Sequence, residues 1–215
     1  IPGATEDDAN VCEVIVEGGN AVVVGEYTAR ATGLSNDNYQ LPETGLTQNY
    51  KITKATHNMA GVEWNYTNAF TYDGTVKTVT LIGLPQGVTA NYTDNSETDA
   101  GNYEASATFD YDQHNYNAPE FLPLSWAIEP KVVSLTWQGH GERVYDGTAS
   151  NVTAIPTGLV GQDQCTVNVT GGTQSNAGTH TATAIGLDNG NYTLPEAGLT
   201  QEYIITKADY DMSGV

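Results

Sequence analysis

Basic residues are what this sequence has least of: seven Lys and Arg stand against 26 Asp and Glu, a formal net charge of −19. A surface of that sign repels phosphate polymers and anionic bilayers, which argues against nucleic acid as a partner. The acidic residues are scattered, as solubilising side chains are. Long apolar runs are missing too; none approaches the ~20 residues a membrane span requires, so no span is expected within the chain, and any signal peptide or anchor is expected to lie outside it. The two Cys, Cys12 and Cys165, are too few for a disulfide-stapled scaffold. Leu, Met, Lys and Arg are sparse, whereas Thr, Val, Tyr, Asn and Gly abound, a balance that favours pleated strands and tight turns over helices.

What the chain does have is repetition. Residues 41–55, LPETGLTQNYKITKA, match residues 194–208, LPEAGLTQEYIITKA, at 12 of 15 positions without gaps. The offset of 153 also relates Cys12 to Cys165, so the two thiols are expected in equivalent pockets and a bond between them is not. A shorter period of about 76 lies inside the longer one. Tyr72-Asp73-Gly74-Thr75 recurs at Tyr145-Asp146-Gly147-Thr148. Asn38-Tyr39, Asn115-Tyr116 and Asn191-Tyr192 are each followed by Pro and then by a closing Lys at Lys54, Lys131 or Lys207. The expected division is a truncated module over 1–54, full modules over 55–131 and 132–207, and the start of another over 208–215. Ile1-Pro2 aligns with Ile155-Pro156, as expected of a chain cut from a longer array, and the short module should leave a sheet edge exposed.

Alternation places Tyr103, Ala105, Ala107 and Phe109 on one face of a strand and Glu104, Ser106 and Thr108 on the other. The matching inward sets are Tyr27, Ala29 and Ala31, then His180, Ala182 and Ala184. Their small Ala side chains let an opposing layer approach closely. Asp-Gly within each Tyr-Asp-Gly-Thr is a tight-turn signal. Six or seven short strands per full module fit an all-β chain of small Ig-like β-sandwich or β-grasp-like modules arranged end to end; the pattern does not separate the two. The β-rich links at Lys54 and Lys207 predict stiff joints.

Tyr-Asp-Gly-Thr, the Asp99–Tyr103 string Asp-Ala-Gly-Asn-Tyr and the closing Tyr-x-Ile-Thr-Lys-Ala resemble the MBG/YDG-type tandem repeats of large bacterial surface proteins and adhesins. The resemblance covers nearly the whole chain and implies exported, extracellular β modules without catalysis. Ser175–His180 departs from it, with His180 in a Tyr position.

The candidate sites are thin. Leu41-Pro42-Glu43-Thr44-Gly45 spells a sortase signal, but a further strand follows instead of an apolar segment and basic tail. His57, His114, His140 and His180 lack partners at ligand spacing; His180 reads as a core-facing Tyr substitute and the others as surface residues. Asp94, Glu97 and Asp99 crowd one loop as weak calcium candidates, with a solvated loop the preferred reading. Lys54, Lys131 and Lys207 raise the idea of Lys–Asn crosslinks, though edge-blunting lysines are commoner. Five Asn-x-Thr sequons, at Asn65, Asn91, Asn151, Asn168 and Asn191, follow from composition. Trp64, Trp126 and Trp137, none with an obvious counterpart in the other modules, are the ligand-binding candidates, against burial in a core.

No catalytic residue and no cofactor is expected. The leading expectation is a structural spacer on a bacterial cell surface, each module folding independently and contacting its neighbours. The alternative is a module that binds a host glycan or protein.

Overall fold

The computed structural model describes residues 12–213, and all their regular structure is β, with no helix among them. The expected equivalence of Ile1-Pro2 with Ile155-Pro156 lies outside the described residues, as does the very end of the 208–215 stretch. The strands are β1 (Val14–Glu17), β2 (Gly25–Leu34), β3 (Thr47–Ile52), β4 (Glu63–Trp64), β5 (Phe70–Thr71), β6 (Lys77–Thr78), β7 (Leu81–Ile82), β8 (Thr89–Thr93), β9 (Ser96–Glu97) and β10 (Gly101–Asp110). There follow β11 (Leu124–Glu129), β12 (Lys131–Val132), β13 (Ser134–Gln138), β14 (Arg143–Val144), β15 (Thr153–Thr157), β16 (Val167–Thr170), β17 (Gly178–Leu187), β18 (Tyr192–Thr193) and β19 (Thr200–Thr206).

Two compact units are formed. One comprises Ile1–Glu63, Ile82–Asn91 and Thr108–Phe121; the other comprises Trp64–Leu81, Tyr92–Ala107 and Leu122–Val215. Neither Lys54 nor Lys131 marks a boundary between them. The first unit holds the antiparallel sheet β1-β2-β3. The second holds the sheet β14-β19-β17-β16 and the hairpin β13-β15.

These two sheets share one register. Tyr27 faces Tyr50 across β2 and β3, and His180 faces Tyr203 across β17 and β19, each pair 153 residues from its counterpart. β1 slips against β2 between Ile15 and Val16, and β16 slips against β17 between Asn168 and Val169. A bulge recurring at the same place belongs to the sequence, because one extra residue there decides which side chains beyond it face inward. The Tyr-Asp-Gly-Thr segments recur in role as well. β5 runs parallel to β11 and β14 parallel to β19, and Tyr72 and Tyr145 then donate their N–H to Glu129 and Thr206. Asp73 and Asp146 close each corner by accepting from the Thr two residues on, through both its N–H and its hydroxyl.

In the second unit the inward Ala residues do what small side chains permit. The β13-β15 hairpin lays Leu135, Trp137, Val152 and Ala154 against Val167, Val169, Ala182, Ala184, Tyr203 and Ile205, making a two-layer core. Each fully buried aliphatic side chain there contributes roughly 1.5–3 kcal/mol. A further cluster joins Tyr72, Val79, Ala105, Trp126 and Ile128 to Val133 and Tyr192. Residues on both sides of Lys131 therefore share buried surface, which departs from the expectation that the 55–131 and 132–207 stretches fold independently.

Gly171 turns the chain from β16 toward β17 at φ +74°, where a Cβ would sit 2.3 Å from the Thr181 carbonyl oxygen. Gly198 has a similar φ of +77° with open space around it. Replacing Gly198 by Ala should cost only the left-handed backbone penalty, about 1–2 kcal/mol. Gly171→Ala adds a backbone collision that the sheet cannot relieve, so urea unfolding is expected to show a clearly larger loss for it than for Gly198→Ala.

Candidate functional site

Three equivalent corners carry the ordered aromatics. Tyr27 folds back to donate its hydroxyl to the Val23 carbonyl at 2.7 Å and stacks on Tyr50 with ring centres 5.5 Å apart. Tyr103 does the same with Asp99 at 2.8 Å and leans on Trp126 at 5.0 Å. His180 takes that place in the third corner, its Nε2 2.8 Å from the Asn176 carbonyl oxygen and its ring 5.4 Å from Tyr203. The imidazole thus occupies a Tyr position with the Tyr geometry, turned to structure.

Those corners also place the tryptophans. Trp126 is 2% exposed and stands where Tyr50 and Tyr203 stand. Trp64 and Trp137 do have counterparts, namely each other. Each lies eight residues before the Tyr of Tyr-Asp-Gly-Thr, and each donates its indole N–H at 3.1 Å to a backbone carbonyl, Leu122 or Gly198. Both are half-buried and pack against the cores of the second unit. That constant eight-residue distance was the sequence signal that would have paired them.

The residues Asp94, Glu97 and Asp99 stand in separate settings. Asp94 adopts φ +54° and offers its backbone carbonyl to Trp126, Glu97 stands opposite Lys77 in the β6-β9 ladder while the Lys77 ammonium goes to Asp73, and Asp99 accepts from the Asn191 side chain at 2.9 Å. Among the described residues no three His, Cys, Asp or Glu side chains are grouped as metal ligands. His57, expected on the surface, is half-buried and stacks on Tyr116 at 4.1 Å with Tyr111 edge-on. Cys12 and Cys165 are both free thiols. Burial pushes the Cys165 thiol up, a setting for packing rather than nucleophilic chemistry. Lys54 donates to the Gln113 carbonyl at 2.7 Å. The Leu41–Gly45 string leads into β3, where the Leu46 carbonyl accepts from Ala31, as that of Leu199 accepts from Ala184.

Two polar arrangements repeat or concentrate. In the first unit Asn115 accepts at its side-chain oxygen from Val24 N–H at 2.9 Å, while its carbonyl receives the Ala55 N–H. In the second, Asn191 accepts from Ala100 N–H at 2.7 Å while its carbonyl receives the Lys131 N–H. Each Asn therefore clamps the residue before the long-strand Gly to the residues around the preceding closing Lys. The other arrangement is a lone carboxylate, Asp163, whose Oδ2 accepts from Tyr72 at 2.7 Å and Tyr192 at 2.6 Å, both buried. Hydrogen bonds from Tyr192 and Tyr72 hold the Asp163 carboxyl below its ordinary range. The bond to Asp163, aided by burial, pushes Tyr72 up to about 12.

The remaining feature is apolar. Val14 and Val16 on β1 are 54% and 52% exposed, whereas Val167, the counterpart of Val14, is 8% exposed. Ala29, Ala31, Tyr50 and Ile52 are only partly covered, while Ala182, Ala184, Tyr203 and Ile205 are buried. Among the described residues no hairpin lies on the β1-β2-β3 sheet as β13-β15 lies on β16-β17-β19.

No known family matches the sequence, and no curated protein matches it.

Asp163 makes a pH-dependent contribution whose sign follows from its depressed folded pKa. The stabilisation is complete above the ordinary Asp range, near pH 4, and is lost as pH falls through the lower folded value. Asp163→Ala is expected to lower stability at pH 7, because the Tyr72 and Tyr192 hydroxyls lose their shared charged acceptor. In denaturant melts the gap between variant and wild type should narrow below pH 4; a gap constant down to pH 2 would contradict the assignment.

Proposed function

We propose that this chain is a non-catalytic structural segment built from successive copies of one β unit of the MBG/YDG type, acting as a spacer in an exported bacterial surface protein. The observation that carries this reading is the recurrence of joints. Asn115 and Asn191 make the same pair of hydrogen bonds to the same two elements, and a parallel bridge, Ala55 to Tyr116 or Lys131 to Tyr192, accompanies each. A joint that reuses its hydrogen bonds fixes the angle between successive copies, which is what a stiff spacer needs and a catalyst does not.

The absence of any helix among the described residues favours the sandwich form over the β-grasp form, whose sheet is covered by a helix. The two-layer packing of β13-β15 on β16-β17-β19 supports the same choice. Polar residues in this reading are spent on turns, caps and joints. The surplus of acidic charge keeps a repetitive, strand-rich surface soluble and deters edge-to-edge pairing.

Small-angle scattering of the chain should give a rod-like distance distribution; the profile of a compact globule would contradict the spacer reading. Asn191→Ala removes the acceptor for Ala100 N–H and is expected to lower stability by about 1–2 kcal/mol. It should also accelerate limited proteolysis near Lys131 several-fold, and unchanged cleavage would show that the joint does not depend on that side chain.

A further inference from the structure

The sheet β1-β2-β3 repeats, residue for residue and bulge for bulge, a sheet that elsewhere in the same chain is the floor of a closed core. In the second unit two things complete that floor. The β13-β15 hairpin covers its face, with Leu135, Trp137, Val152 and Ala154 inward. Between those strands, β14 adds in parallel to the outer edge of β19, pairing Arg143 with Ile205 and Val144 with Thr206. In the first unit the face at Val14, Val16, Ala29 and Ala31 carries no such hairpin among the described residues. The edge of β3, at Ile52, likewise carries no parallel strand among the described residues, where β3 is the end of the sheet order.

We infer that the β1-β2-β3 sheet is an acceptor for a β-hairpin segment of the same repeat type, a polypeptide with the character of Val132–Thr157. Its two strands would cover Val14 and Val16, and its Tyr-Asp-Gly-Thr approach would pair with Ile52. Three features of the acceptor support this occupant over a generic apolar one. The inward Ala29 and Ala31 leave the shallow trough that Val152 and Ala154 fill over Ala182 and Ala184. The aromatic wall is already set, since Tyr50 donates its hydroxyl to Gly18 at 2.7 Å just as Tyr203 donates to Gly171 at 2.8 Å. Parallel addition at β3 supplies backbone hydrogen bonds in a register that both β5 on β11 and β14 on β19 use. The inference needs only the internal repeat and stands whether or not the parent protein is a spacer.

The test uses the chain with a synthetic peptide of its own residues 132–157, followed by hydrogen exchange. Binding should protect the amides of Val14–Glu17 and of Ile52 at least tenfold, and Val16→Asp in the chain should abolish that protection. Val16 is exposed, so this variant is expected to fold. Because a free peptide pays to order itself, a second form carries residues 132–154 fused directly before Ile1. There the same amides should be protected, the thermal midpoint should rise by several degrees, and a Trp-to-Ala change at the added copy of Trp137 should reverse both. Protection in the fused form alone supports the inference, with tethering supplying the ordering cost. A fused form whose Val14–Glu17 amides exchange as fast as those of the unfused chain overturns it. So does concentration-dependent dimerisation of the unfused chain that Val16→Asp abolishes, which would make a second copy of the sheet the occupant.

Discussion

A long strand that alternates an aromatic with two alanines can be buried only against a second layer, and it must hold one register to keep those alanines inward. That pairing of the second strand with the closing strand organises everything else in the chain. The aromatic at its head folds back on its own backbone and leans on the ring opposite, so register and corner are fixed together. The bulge on the other side returns the edge strand to the same face after one slipped residue. With the floor held in this way, the chain can differ in what it lays on top.

Much of the floor was legible in the sequence. Alternation picked out β2, β10 and β17 and named their inward residues, and the offset of 153 predicted ladders that match in detail. Asp-Gly marked the corners because glycine alone combines with an Asp side chain that caps the Thr beyond it. His180 was legible as a Tyr substitute because its strand pattern was intact around it. Short-range periodicity and identical letters were enough for these features.

What stayed hidden depends on contacts between distant segments. The hairpin β13-β15 has unremarkable strands, and its covering role arises only when Trp137 and Ala154 meet Val167 and Ala184 on strands further along the chain. Trp64 and Trp137 went unpaired in the reading because the letters around them differ, although their spacing to Tyr-Asp-Gly-Thr is constant. Asp163 is one of 26 acidic residues, and nothing local separates a carboxylate held by two buried phenols from one in solvent. The stacking of His57 on Tyr116 joins residues about sixty positions apart.

The buried cluster that crosses Lys131 has a consequence for where the chain can be divided. The stretch that is copied in the sequence, closing at each Lys, is out of phase with the stretch that shares a core, since Tyr72 and Ile128 reach forward to Val133 and Tyr192. A stretch cut at Lys131 would therefore leave Val79, Trp126 and Ile128 without the cover that Val133 and Tyr192 give them. Apolar surface shared in this way ties the fate of the two repeated stretches together: a break at the repeat boundary exposes buried side chains on both sides of it.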